Sequence, residues 1–160
     1  MYNLYLDDVR TPIQGNWVVV RDYDEFVEAV IRIGLDNFSY ISLDHDLGEE
    51  AMIEYYTNVK HNNIIDYSNI NEKTGMDCCK FLVDHCLENN KSLPEINVHS
   101  ANPVGSINMM SFIDNFFKHT GSNKKCSKIV IPHTVHESHM ISPEERKAKW
   151  EKWKNDNNLK

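Results

Sequence analysis

The sequence predicts an α/β fold: a mostly parallel five-stranded sheet flanked by helices. Three observations lead there. Short apolar runs alternate with amphipathic helical stretches, which is the pattern of βαβ units. Those runs end repeatedly in Asp or His, as they would where a parallel sheet presents its ligand-binding edge. The chain of 160 residues, 41% hydrophobic and 26% charged, suits a single domain (1–160) with its own core.

Tyr2 to Leu6 reads as a buried strand that ends at Asp7-Asp8, and Trp17 to Val20 as the next. The link between them is too short for a helical parallel crossover, so the first helix is expected to be missing. Asp22, with Glu25 three positions on, opens a helix that buries Phe26, Val27, Val30 and Ile33 and stops at Gly34. Phe38 to Leu43 is a strand ending at Asp44-His45-Asp46. A polar, Asn-rich insert, about 49–74, is weakly patterned and reads as a functional loop, a lid or a disordered segment. Met76 to Leu87 is a helix with Cys79, Leu82, Val83 and Cys86 on one face. Pro94 to Val98 is a strand ending at His99-Ser100, and Val104 to Lys118 a helix striped by Met109, Phe112, Ile113 and Phe116. Lys128 to Ile131 is the last strand, followed by Pro132-His133. Ser142, Pro143 and Glu145 mark the start of an extra C-terminal helix, about 143–157, whose Trp150 and Trp153 share a face expected to dock on the domain.

A net charge of −7 argues against an extensive nucleic-acid surface, since phosphates would be repelled at long range. No apolar run is long enough to span a membrane, and the N-terminus lacks the features of a secretory leader. Cys78, Cys79, Cys86 and Cys126 lack zinc-type spacing and are expected as buried thiols, which suits a reducing cytoplasm. Abundant Asn, Ile and Lys point to an AT-rich genome, bacterial or viral, so the location expected is the cytoplasm, the host's if the source is a phage.

The strand ends carry the chemistry. If Asp7, Asp8 and Asp44 converge, their mutual repulsion would be relieved by a hard divalent cation, Mg²⁺ or Mn²⁺; otherwise they cap turns. His45 and His99, with Asp46 in the same cluster, are candidates for acid and base work. Arg10 either clamps a phosphate or pairs with Asp8. Ser100 and Asn102 either donate to phosphate oxygens or serve the turn before Pro103, and Gly105 lies where a helix start offers free N–H groups to an anion. His133, after the fifth strand, is a further catalytic candidate. The triplet His133, His136 and His139 does not have HExxH spacing, and His61, His85 and His119 read as surface residues.

The acid pair after strand one, the acid after strand three and the hydroxyl residue after strand four resemble the receiver (flavodoxin-like) fold of response regulators. By that resemblance the acid pair holds Mg²⁺, Asp44 accepts a phosphoryl group and Ser100 is the hydroxyl switch. Receivers place a lysine after strand five, where Pro132-His133 stands here. The fuller strings Leu6-Asp7-Asp8-Val9-Arg10-Thr11-Pro12, Ser42-Leu43-Asp44-His45-Asp46-Leu47-Gly48, Thr74-Gly75-Met76-Asp77 and Val98-His99-Ser100-Ala101-Asn102-Pro103-Val104-Gly105 resemble the cyclic-phosphate-processing receiver-like family. That resemblance implies processing of a cyclic phosphate on a nucleotide or RNA end, with metal at Asp7, Asp8 and Asp44 and with His45 and His99 acting on the phosphate. The expected function is a metal-assisted phosphodiesterase for a small phosphorylated ligand. The alternatives are a non-catalytic binder of a cyclic nucleotide signal and a phosphoacceptor signalling module.

Overall fold

The computed structural model describes residues 1–135 and 143–157. In chain order the strands are β1 (Tyr2–Leu6), β2 (Arg10–Pro12), β3 (Trp17–Val20), β4 (Phe38–Leu43), β5 (Glu95–Val98), β6 (Ser127–Lys128) and β7 (His133–Val135). The helices are α1 (Tyr23–Ile33), α2 (Glu49–Glu54), α3 (Lys60–Asn62), α4 (Gly75–Asn89), α5 (Pro103–His119) and α6 (Pro143–Asp156). Five strands form one sheet in the order β3-β1-β4-β5-β6, each neighbouring pair parallel. The order and the flanking helices match the expected fold class, and no helix among the described residues is long and apolar enough to cross a membrane.

The connections explain where the helices lie. The β3→β4, β4→β5 and β5→β6 links, through α1, α4 and α5, all advance in one direction across the sheet. Right-handed crossovers then place all three helices on one face. Leu4, Leu6, Val18, Val20, Ile41, Leu43, Ile96 and Val98 meet them there in a single apolar cluster. The β1→β3 link runs the other way and contains no helix, as its length foretold. The alternate positions Asn3, Tyr5, Trp17, Tyr40, Ser42 and Asn97 therefore face away from that cluster. The three crossover helices thus share one face, and the opposite face is polar and aromatic.

In place of a first helix, β2 pairs antiparallel with β7 in a separate two-stranded sheet, with Pro12 opposite His133. Arg21 holds this link. Its Nη1 donates to the carbonyls of Asp7 at 2.9 Å and Arg10 at 2.7 Å, and its Nη2 to Thr11 Oγ1 at 2.7 Å.

Of the three readings of the insert, about 49–74, the disordered one is corrected. The insert contains α2, a π-turn over Tyr55–Val59, α3 and a 3₁₀ turn at Tyr67–Asn69. Acidic side chains supply the order that periodicity does not. Glu54 Oε1 accepts from the Asp66 N–H at 2.9 Å, Glu50 Oε2 from the Glu72 N–H at 3.2 Å, and Glu72 Oε1 from the Ala51 N–H at 2.8 Å.

The last strand is also shorter than expected, ending at Lys128. Beyond it the Asn97 amide replaces the backbone ladder, accepting from the Ile129 N–H at 2.7 Å and donating to the Ile129 carbonyl at 2.8 Å. At the C-terminus α6 docks as its tryptophans foretold. Trp150 is buried and stacks on Trp153 at 5.2 Å, and its Nε1 donates to Glu28 of α1 at 2.6 Å. The expected cap at Ser142 lies outside the described residues, as do His136 and His139.

Candidate active site

The carboxyl ends of β1 and β4 bring Asp7, Asp8 and Asp44 together. One carboxylate oxygen from each lies within 4.8 Å of the others. Asp7 is fully buried and Asp44 nearly so, whereas Asp8 is partly exposed. This set of hard oxygen donors fits a divalent cation in type and spacing.

Arg10 is the cation seated there. Its Nε pairs with Asp7 Oδ2 at 2.5 Å, its Nη2 with Asp44 Oδ2 at 2.9 Å, and its Nη1 donates to the His99 carbonyl at 3.3 Å. Arg10 therefore bridges Asp7 and Asp44. Asp7 is saturated with donors, because Oδ1 also accepts from the N–H groups of Val9 and Arg10 at 2.9 and 2.6 Å. Burial alone would raise the Asp7 pKa, but the hydrogen bond from His99, the charge of Arg10 and the two backbone N–H groups outweigh it and hold it down to about 2. Asp44 lacks that surplus of donors. Burial, then the charge of Asp7, pushes its pKa up against the opposing pull of Arg10.

His99 is buried, and both its ring nitrogens are engaged. Nδ1 lies 2.7 Å from Ser42 Oγ and Nε2 lies 3.1 Å from Asp7 Oδ2, while the ring stacks on Tyr5 at 4.3 Å. Ser42 Oγ already accepts from Asn97 Nδ2 at 2.8 Å. An ionised Asp7 can only accept, so His99 Nε2 carries a proton and donates to it. His99 acts inside the protein, orienting Asp7.

His45 heads a second buried cluster. Its Nδ1 lies 2.6 Å from Asp46 Oδ1 and its Nε2 lies 3.1 Å from the hydroxyl of Tyr67, a residue of the insert. A carboxylate can only accept, so Nδ1 carries a proton, and in the neutral imidazole Nε2 then offers a lone pair to the phenol. Two glycines make room for these strand ends. A Cβ on Gly105 would lie 2.4 Å from His45 Cγ, and one on Gly75 would lie 1.9 Å from the Asp44 carbonyl oxygen.

The remaining candidates have hydrogen-bond partners within the protein. Asn102 is buried and caps α5, its Oδ1 accepting from the Gly105 N–H at 2.9 Å, while its Nδ2 donates to Asp46 Oδ1 at 3.1 Å. The Gly105 N–H is thus already used within the protein, and the turn reading of Asn102 is the one observed. Ser100 is buried, hydrogen-bonds Asp44 and accepts from the Asn102 N–H at 3.2 Å. His133 lies on β7 with Nδ1 on the Ile131 carbonyl at 2.8 Å, apart from the acid cluster. The four cysteines are free and buried, as expected.

Sequence reasoning missed Arg21, Ser42, Asn97 and Tyr67. Arg21 directly follows a strand, just as Arg10 follows the acid pair. Ser42 and Asn97 are polar residues inside apolar runs, a signal that they face away from the core. Nothing in the Asn-rich insert singles out Tyr67.

No curated protein and no solved structure shows significant similarity to the chain. Residues 2–115, which include every acid, histidine and arginine of the two clusters, match the family described as the cyclic-phosphate processing receiver domain. With the parallel sheet order and the acids at its carboxyl edge, the chain belongs to the cyclic-phosphate processing receiver domain family.

Proposed function

We propose that this protein is a phosphoesterase that opens a cyclic phosphate on a nucleotide or an RNA end. The observation that carries the reading is the convergence of Asp7, Asp8 and Asp44 beside Arg10 at the carboxyl edge of the sheet, in a chain of this family. A divalent cation, Mg²⁺ or Mn²⁺, held by the three acids would supply positive charge at the phosphate and make water easier to ionise there. Asp8, the most exposed of the three, and Asp44, which has fewer donors than Asp7, are its natural first ligands.

The protein's own groups do the rest. Arg10 spends three of its five N–H groups on Asp7, Asp44 and the His99 carbonyl, and the others are available to non-bridging phosphate oxygens. His99 keeps Asp7 oriented and ionised. His45, held by Asp46 with its Nε2 against the Tyr67 hydroxyl, is the base and then the acid that returns a proton to the departing oxygen.

The test is incubation with 2′,3′-cyclic and 3′,5′-cyclic mono- and dinucleotides, with and without Mg²⁺ or Mn²⁺, with products read by mass. A linear product formed with metal and lost in Asp44→Asn is the expected result. Activity that survives both Asp44→Asn and chelation would sink the reading. One observation favours a second reading, a binder that stores a cyclic nucleotide unchanged: both histidines have every ring nitrogen engaged by protein partners. Recovery of intact ligand from the saturated protein after denaturation is its signature.

A further inference from the structure

We propose that Tyr67 is a reactive hydroxyl, the nucleophilic member of an Asp46–His45–Tyr67 relay that attacks an electrophilic phosphorus centre. The proposal rests on the phosphoesterase reading only for the identity of the natural electrophile.

The geometry follows the logic of a hydroxyl backed by an imidazole that a carboxylate orients. Asp46 Oδ1 fixes His45 Nδ1 at 2.6 Å, and His45 Nε2 meets the Tyr67 hydroxyl at 3.1 Å. Tyr67 accepts a further bond from Asn108 Nδ2 at 3.3 Å. Asn108 takes one lone pair of the phenol oxygen and His45 Nε2 is the acceptor beside it, so the phenolic proton points at Nε2, the direction in which it would leave. Asn108 then remains to hold the charge that develops on the oxygen.

The supporting groups are rigid. His45 is fully buried and lies against Gly105, where any side chain would displace its ring. Asp46 is buried and held by Asn102 Nδ2 on both oxygens, at 3.1 and 3.3 Å. Of the three members only Tyr67 is open to solvent, with 37% of its surface exposed. A tyrosine that merely pinned the insert would not need a buried, doubly supported carboxylate–imidazole pair behind it.

The step balances within the relay. The Tyr67 oxygen forms a bond to phosphorus as one P–O bond of the cyclic ester breaks. The phenolic proton passes to His45 Nε2 and from there to the departing ring oxygen. Water then cleaves the tyrosyl–phosphorus bond, restoring the phenol and releasing a linear phosphate ester.

The probe is diisopropyl phosphorofluoridate, whose P–F bond breaks as the tyrosyl–phosphorus bond forms, with fluoride leaving and the proton going to His45. Adducts are located by peptide mass, with the exposed Tyr56 as an internal control in the same chain. The expected result is labelling of Tyr67 at least about tenfold faster than of Tyr56. The Asp46→Asn variant should lose that advantage, because an amide can hold the imidazole in the wrong tautomer. Equal rates at Tyr67 and Tyr56, or a fast rate that Asp46→Asn leaves unchanged, would overturn the proposal. Hydrolysis of a cyclic nucleotide that Tyr67→Phe fully retains would also overturn it, while leaving the phosphoesterase reading intact. Fast labelling dependent on Asp46, in a protein that hydrolyses no cyclic phosphate, would support the reactive hydroxyl and remove the phosphoesterase reading instead.

Discussion

Replacing Arg10 with leucine should cost this protein a large part of its stability, and divalent cations should return some of it. The guanidinium makes contacts of 2.5 Å to Asp7, 2.9 Å to Asp44 and 3.3 Å to the His99 carbonyl. Asp7 is 0% exposed and Asp44 6%. Breaking a buried ion pair by removing one partner typically costs about 3–5 kcal/mol, because a buried charge is left uncompensated. For a chain of this size each kcal/mol corresponds to a Tm change of about 2–4 °C, so a fall on the order of 10 °C is expected. The sign with pH follows from the acids. In the wild type Asp7 is held down to about 2, so its contribution is present above its ordinary value and is lost as pH falls through about 2. Without Arg10 both acids shift upward, and their ionisation destabilises the fold at neutral pH. That cost disappears as the pH falls and they protonate. The deficit of the variant should therefore be largest near pH 7 and shrink towards pH 4. Thermal melts across pH, with and without millimolar Mg²⁺, measure both effects, and Mg²⁺ should raise the melting temperature of the variant more than that of the wild type. A deficit under about 1 kcal/mol at pH 7 would refute the reasoning, since the value of a solvent-screened surface pair is of that size.

Gly105→Ala would drive a methyl group to within 2.4 Å of His45 Cγ. Overpacking of this kind costs about 1–3 kcal/mol, and a displaced His45 should appear as shifted imidazole resonances and a lower denaturant midpoint. Ser42→Ala removes the hydrogen-bond partner of His99 Nδ1 and leaves Asn97 Nδ2 with one partner fewer. A destabilisation of about 1–3 kcal/mol is expected, with a shifted His99 Nδ1 resonance in nitrogen-detected spectra. Trp150→Ala should release α6, so that limited proteolysis cuts around residue 150 well before the sheet. The Glu28 carboxyl, set against burial but lowered overall by hydrogen bonds from Lys154 and Trp150, contributes above its ordinary pKa and less as pH falls through its lowered value. Acidification should therefore loosen α6 early, read as a change in tryptophan fluorescence that Glu28→Gln removes.

The acids of the site were legible because a parallel sheet gathers strand ends at one edge, so Asp7, Asp8, Asp44, His45 and His99 could be picked out by position alone. Their roles were less legible. Arg10 read equally well as a phosphate clamp or a partner of Asp8, and only the fold shows it across Asp7 and Asp44. The order of the insert was hidden because carboxylate-to-backbone bonds spanning 12 to 22 residues create it, and such bonds leave no periodic trace. The β2–β7 pair was hidden for a related reason, since it joins Arg10 to Val135 across most of the chain. The single-faced arrangement of the crossover helices was readable in principle. It follows from strand order and handedness, but the strand order itself is not in the sequence pattern.

The link stapled by Arg21 also governs how this chain can change length. In a helical crossover an extra residue or an extra turn is absorbed at the outer surface, and the flanking strands keep their register. Here the link from β1 to β3 itself carries Asp7, Asp8 and Arg10, and one side chain fixes it by the carbonyls of Asp7 and Arg10 and the hydroxyl of Thr11. A single inserted residue would move either the acids or the guanidinium out of reach of the other. This link is therefore as inextensible as a core strand.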